Sequence, residues 1–167
     1  RSIQKQEKFM CRVNMDGTIY YLAHPIGSRK EVREWELEFE AIYPDITIVN
    51  PFYDYMPGLV RQDIERMDKG EITRFDVDPN EIVMRDLKIL AYCDAVIAII
   101  DGNTSYGTIF EIAEATRMGM PVHIICTNGM ERHPWLIAYS KGNVYTSFTE
   151  FEKHFSIQRK ISSIFIK

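Results

Sequence analysis

Apolar positions follow two periods along this chain. Four short runs are apolar almost throughout: "TIYYLAH" (18–24), "DITIVN" (45–50), "DAVIAIID" (94–101) and "PVHIICT" (121–127). Unbroken runs of this length predict strands buried on both faces. The stretches between them change period. In "KEVREWELEFEAIY" (30–43), Val32, Trp35, Phe39 and Ile42 form a helical stripe, and Pro44 ends it. "PNEIVMRDLKILAYC" (79–93) predicts a helix with proline near its start, where a missing N–H costs nothing. A further helix is predicted after the loop at 101–106, opening at Gly107-Thr108 with Glu111 in its first turn. "FTEFEKHFSIQRKISSIFI" (148–166) reads as an amphipathic closing helix. "SKGNVYTS" (140–147) carries a short last strand, and residues 59–78 a short helix followed by a mobile segment. Before the first firm strand, "KFMCRVN" and the Asp16-Gly17 turn predict a hairpin partner.

Strands alternating with helices imply an α/β fold: a single-domain Rossmann-like or flavodoxin-like doubly wound sheet, mainly parallel, of about five strands. Residues 1–16 are read as an N-terminal extension, with an added strand as one possibility, and 17–167 as the domain. In such sheets ligands bind beyond the carboxyl ends of the strands, near the switch in strand order. That rule selects the loops at 24–29, 50–58 and 101–108.

The chain's 167 residues suit one domain, and 46% apolar with 26% charged residues is an ordinary globular mixture. A net charge of −4 supplies no basic field for nucleic acid or anionic membrane, so neither is expected as a partner. A small anion could still be held locally by a helix N-terminus and an arginine. Cys11, Cys93 and Cys126 are few and odd in number, which argues for core thiols in a reducing compartment. Histidines 24, 123, 133 and 154 lack paired metal spacing, so no metal and no cofactor are expected. The first ten residues lack the apolar middle of a secretory signal, and the expected location is cytoplasmic.

Several residues near the selected loops could carry chemistry, each with a plainer alternative. Thr108-Ile109-Phe110-Glu111 matches a capping box. The same Glu111 stands at the sheet's ligand edge, where helix-end amides would keep its carboxylate ionised. Asp86 sits among Ile82, Val83, Ile89 and Leu90, either in an ion pair with Arg85 or Arg61 or facing a cavity. Asp101 ends its strand as a rim carboxylate or a turn former. His24 ends the first strand, and Gly27, Ser28 and Arg29 precede the first helix as a phosphate cradle or an ordinary cap. Phe52 and Tyr53 could stack on a base or pin their loop by packing. No Walker loop or GxGxxG is present.

The order and spacing of "YYLAHPIGSR", "NPF", "RDL", "CDAVIAIIDG" and "SYGTIFEIAEATRMGMPV" resemble the nucleoside 2-deoxyribosyltransferase family, including its nucleoside 5′-monophosphate N-glycosidase branch. The resemblance covers roughly residues 18 to 126. It implies that Glu111 is the nucleophile at C1′ of the sugar. It further implies that Asp86 orients substrate and handles the leaving base's proton, and that Tyr21 positions the nucleophile. Two carboxylates about 5 Å apart suit a retaining double displacement through a glycosyl-enzyme.

Nucleoside transferases of the family carry an aspartate six residues before the nucleophile; here that position is Ser105. A serine can donate to a 5′-phosphate that an aspartate would repel. With Gly107, Thr108, Thr104, Ser28 and Arg29 as neighbours, the resemblance favours hydrolysis of a nucleoside monophosphate substrate. The family also implies a homodimer or higher homo-oligomer, with a residue from a neighbouring subunit completing the site. In "TNGMERHPW" the choice among Asn128, Arg132 and His133 stays open, with Asn128 carried as a binding candidate. Base exchange between nucleosides, cleavage of NAD and non-catalytic nucleotide binding are the competing readings.

Overall fold

A computed structural model describes residues 18–54, 59–103 and 105–165. The hairpin expected around Asp16-Gly17, the loop tip at 55–58 and Thr104 lie outside those residues. The described chain forms a five-stranded, wholly parallel sheet in the order β2-β1-β3-β4-β5. Its strands are β1 (Ile19–Ala23), β2 (Thr47–Val49), β3 (Ala95–Ile100), β4 (Val122–Cys126) and β5 (Val144–Tyr145). The expected doubly wound α/β fold is therefore the observed one, with its switch point between β1 and β3.

Helices cover both faces, as all-parallel strands require. α1 (Arg29–Ile42) follows a 3-10 turn at Ile26–Ser28, and α2 (Leu59–Asp68) follows the β2 loop. α3 (Pro79–Ala91), α4 (Tyr106–Arg117), α5 (Pro134–Ser140) and α6 (Phe148–Phe165) complete the set. On one face Tyr21, Ala23 and Ala98 pack with Leu90 of α3, Ile112 and Ala115 of α4 and Leu136 of α5. On the other, Leu22 and Ile97 meet Val32, Trp35 and Phe39 of α1 and Phe151 of α6. Alternate residues of one strand thus feed opposite cores, the period-two rule at work.

Three local readings change. α4 opens at Tyr106 with Ser105 as its cap, so Glu111 lies in the second turn and not the first. The Ser105 Oγ accepts the Thr108 N–H at 3.2 Å, and its hydroxyl lies 2.8 Å from that of Thr108. The capping box expected between Thr108 and Glu111 does not form, because a serine one turn earlier satisfies the helix end. α5 was not anticipated at all, although Pro134 at its first position is a recognisable start signal.

The segment after α2, read as mobile from its mixed polarity, is anchored. Buried Asp63 accepts the backbone N–H groups of Asp76 at 2.7 Å and Val77 at 3.1 Å. That ties residues 76–77 to α2 and draws Phe75 and Val77 into a small apolar cluster with Ile64, Phe52 and Tyr53.

Candidate active site

Tyr21 lies on β1 with its side chain on the α3/α4 face and is fully buried. A phenol there needs a partner for its hydroxyl. It donates to Glu111 Oε1 at 2.5 Å, a distance typical of a hydrogen bond to a charged or strongly accepting carboxyl group. Glu111 reaches Tyr21 because position 111 lies on the inward side of α4, with Thr108, Ile112 and Ala115. Burial, then the charge of Glu111, pushes the Tyr21 hydroxyl well above its ordinary value, so it remains a donor.

Asp86 of α3 faces the same cluster. Arg85 donates to Asp86 Oδ1 through Nε at 2.8 Å and Nη2 at 2.6 Å. The ion pair foreseen for Asp86 is therefore with Arg85, while Arg61 pairs with Glu65 at 3.1 Å. Burial raises the Asp86 carboxyl, with Arg85 opposing. Burial likewise pushes Glu111 up to about 8, aided by the charge of Asp86 and opposed by the Tyr21 hydrogen bond and Arg85. This corrects the expectation of a carboxylate held ionised by helix-end amides. Ser105 already engages the helix end, and Glu111 stands part-buried a turn further in, against Tyr21. Two coupled carboxyls, one hydroxyl donor and one guanidinium can share and move a proton.

The described parts of the loops chosen from sequence meet at the carboxyl edge. A Cβ on Gly27 would sit 2.9 Å from Asn103 Oδ1, so its lack of a side chain lets the β1–α1 turn touch the β3–α4 loop. Ser105 and Asp101 line a cavity of about 370 Å³ together with Asn103, Asn128 and His133. Ile99, Ile109 and Leu136 form apolar parts of its wall. Gly107 is exposed and Thr108 buried at the same helix end.

Other candidates hold internal posts. Asp101 Oδ1 accepts the Asn103 N–H at 2.7 Å, the turn-forming role. Asn128 donates to the Asp101 carbonyl at 2.9 Å, tying the β3 and β4 loops together. The Ser28 hydroxyl donates to the Pro25 carbonyl at 3.2 Å. Arg29 donates to the Ile26 carbonyl at 2.9 Å and to Asp68 at 2.5 Å, leaving its buried Nε without a partner. Buried His24 places Nδ1 3.0 Å from the Pro25 carbonyl and Nε2 3.0 Å from Asn50 Oδ1. Burial pulls its pKa down. Phe52 meets the His24 ring edge-on at 4.9 Å, and Tyr53 lies under the Arg33 guanidinium at 5.2 Å.

A network missed from sequence stands behind these aromatics. Arg33 donates to Glu36 at 2.9 Å and to Asp54 at 3.2 Å, and both carboxylates are buried. The available signal was Glu36 on the apolar stripe of α1, between Val32 and Phe39. Among the described residues no group of three or more His, Cys, Asp or Glu is placed to hold a metal ion. No described helix is long and apolar enough to cross a membrane.

No protein-family model matches the chain, and no curated protein matches it. A solved structure does: the Clostridium botulinum CMP N-glycosidase BcmB, at a TM-score of 0.54 and 18% identity. The match covers 84% of this chain and 99% of that one. The two proteins share a fold. At this identity the similarity to the CMP N-glycosidase describes backbone architecture, and the side chains of the present site must speak for themselves.

Proposed function

We propose that this protein hydrolyses the N-glycosidic bond of a (deoxy)nucleoside 5′-monophosphate, releasing the free base and (deoxy)ribose 5-phosphate. The reading rests chiefly on the Tyr21–Glu111 hydrogen bond beside Asp86, at the switch point of the sheet. The fold shared with a CMP N-glycosidase and the resemblance of the motifs support it.

In the proposed reaction Glu111 attacks C1′ as a carboxylate, forming an ester as the C1′–N bond breaks. The departing base keeps the bonding electrons and takes a proton from Asp86, whose raised pKa suits a general acid. Water then attacks C1′, the ester bond breaks, and Asp86 accepts the water's proton. Configuration is retained through the two displacements. Tyr21 holds Glu111 in place and favours its ionised form. Ser105 and the first turn of α4, with Ser28 and Arg29 across the Gly27–Asn103 contact, would hold the 5′-phosphate. Arg29 would release Asp68 to do so. Phe52 and Tyr53 would face the base, and His24, Gly107, Thr108, Asp101 and Asn128 would shape the rim.

The catalytic unit in this proposal is the domain at 17–167, cytoplasmic and pairing with further copies as a homodimer or higher homo-oligomer. Exposed Tyr106 and Phe110, 76% and 70% accessible, support the pairing, because large apolar side chains beside a site favour being covered.

Chromatography for released base would test the reading, with a panel of ribo- and deoxyribonucleoside 5′-monophosphates, the matching nucleosides and NAD. Base release from a monophosphate that disappears in Glu111→Ala is the expected result. Transfer to an added second base would point to base exchange. Silence on all substrates would leave a nucleotide-binding module.

A further inference from the structure

Asn50 follows the last residue of β2, and every polar group it owns is engaged. Its N–H donates to Asp54 Oδ2 at 3.0 Å and its Nδ2 to Glu36 Oε2 at 3.0 Å. Its Oδ1 accepts the Phe52 N–H at 3.1 Å and lies 3.0 Å from His24 Nε2. Its carbonyl accepts the N–H groups of Tyr53 at 3.1 Å and Asp54 at 2.7 Å. The amide orientation follows from the neighbours: Glu36 needs a donor and the Phe52 N–H an acceptor. A fully buried amide with both its oxygen and its nitrogen engaged resists rotation, since turning it would strand several partners at once.

The place of this residue gives the rigidity a use. Val49, its neighbour in β2, is in register with Tyr21 of β1, which holds Glu111. One step above that register Asn50 ties β2 to His24 just after β1. The same amide oxygen fixes the backbone of Phe52, whose ring rests edge-on against His24 and parallel to Phe75 at 6.5 Å. Asn50 thus fixes where the Phe52 backbone, and with it the ring, stands relative to His24 just after β1.

We propose that Asn50 is a positioning residue for base recognition, acting through Phe52 without touching substrate. The proposal rests on the functional reading above, and its own content is that Asn50 governs affinity for the base and not for the sugar phosphate. Replacing it removes donors and acceptors at once, so Phe52→Leu, which leaves the hydrogen-bond network in place, provides a second handle.

The experiment is calorimetric binding in a Glu111→Gln background, where no turnover intervenes. The probes are the four ribonucleoside 5′-monophosphates and ribose 5-phosphate. Asn50→Ala and Phe52→Leu are each expected to weaken the best-bound monophosphate by about tenfold, the scale of one lost base–aromatic contact. Ribose 5-phosphate affinity should hold within about twofold. Asn50→Asp adds a pH signature. Its new carboxyl can donate to Glu36 only while protonated, so monophosphate affinity should fall as pH rises. Arg33 and Glu36 from α1, His24 just after β1 and Asp54 from the loop face that position, and Asp101 and Arg29 act on His24. These groups and the phosphate itself titrate identically in the parent, so the signature is the extra fall in Asn50→Asp relative to the parent across the same pH range.

Equal weakening of monophosphate and ribose 5-phosphate would overturn the proposal, leaving Asn50 a purely structural residue. So would an unaffected Phe52→Leu. A parent protein that binds no monophosphate at all would instead sink the functional reading on which the proposal stands.

Discussion

The Tyr21 hydroxyl lies 2.5 Å from Glu111 Oε1, joining a strand and a helix 90 residues apart in sequence. The contact lowers the Glu111 pKa while burial and Asp86 raise it, and burial wins, leaving the group at about 8. If Glu111 is the nucleophile as proposed, a carboxyl with a pKa of about 8 has consequences that can be measured.

The first is kinetic. With Glu111 needed as a carboxylate and Asp86 as a proton donor, kcat/KM should follow a bell-shaped pH profile, with one limb set by the Glu111 pKa of about 8. Tyr21→Phe removes the one hydrogen bond that favours the ionised form, so its profile should move to higher pH. At pH 7 its rate should drop by about ten- to a hundredfold. A pH–rate profile of both proteins checks this, and an unshifted Tyr21→Phe profile contradicts it.

The second concerns stability. Glu111 has a folded-state pKa of about 8 against an ordinary 4.5, so between those values the folded protein binds more protons than the unfolded chain. Stability from this group is therefore present below pH 4.5 and is lost as pH rises to about 8. The slope can reach about 1.4 kcal/mol per pH unit. Glu111→Gln should flatten that decline and leave the variant more stable than the parent at pH 9, though inactive. Urea unfolding at pH 5, 7 and 9 reads it directly.

Ser105→Asp separates capping from phosphate recognition. Aspartate caps helices about as well as serine, so the Thr108 N–H keeps its acceptor and the fold should hold. A second anion beside a 5′-phosphate should lower efficiency toward monophosphates relative to nucleosides by about tenfold or more. Unchanged relative efficiencies would remove Ser105 from the phosphate site.

Asp63→Ala tests the anchor of the segment before α3. Loss of the bonds to the Asp76 and Val77 N–H groups should cost about 2–3 kcal/mol. It should also speed proteolytic cleavage between residues 69 and 78, with both effects read by urea unfolding and limited proteolysis.

Much of this was legible in one dimension. Strand and helix periods place β1, β2, β3, β4, α1, α3 and α6 close to their observed bounds, because each run must bury a face of its own. The loops nominated at 24–29, 50–58 and 101–108 follow from alternating elements and the edge rule. α5 escaped because seven residues are too few for a period to stand out. The start of α4 slipped because Ser105 and Thr108 are both good caps, and only the path of the backbone chooses between them.

The sequence by itself determined the parallel α/β fold and the residue types available at its edge, since hydrophobic period and turn chemistry are local properties. Only the tertiary structure decided that Tyr21 reaches Glu111, that Asp86 pairs with Arg85, and that Asn50 joins His24, Glu36 and Phe52. It also raised the Glu111 pKa above the ordinary carboxylate range, because a pKa is set by how deeply a group is enclosed and by what surrounds it. Neither property belongs to any single stretch of chain.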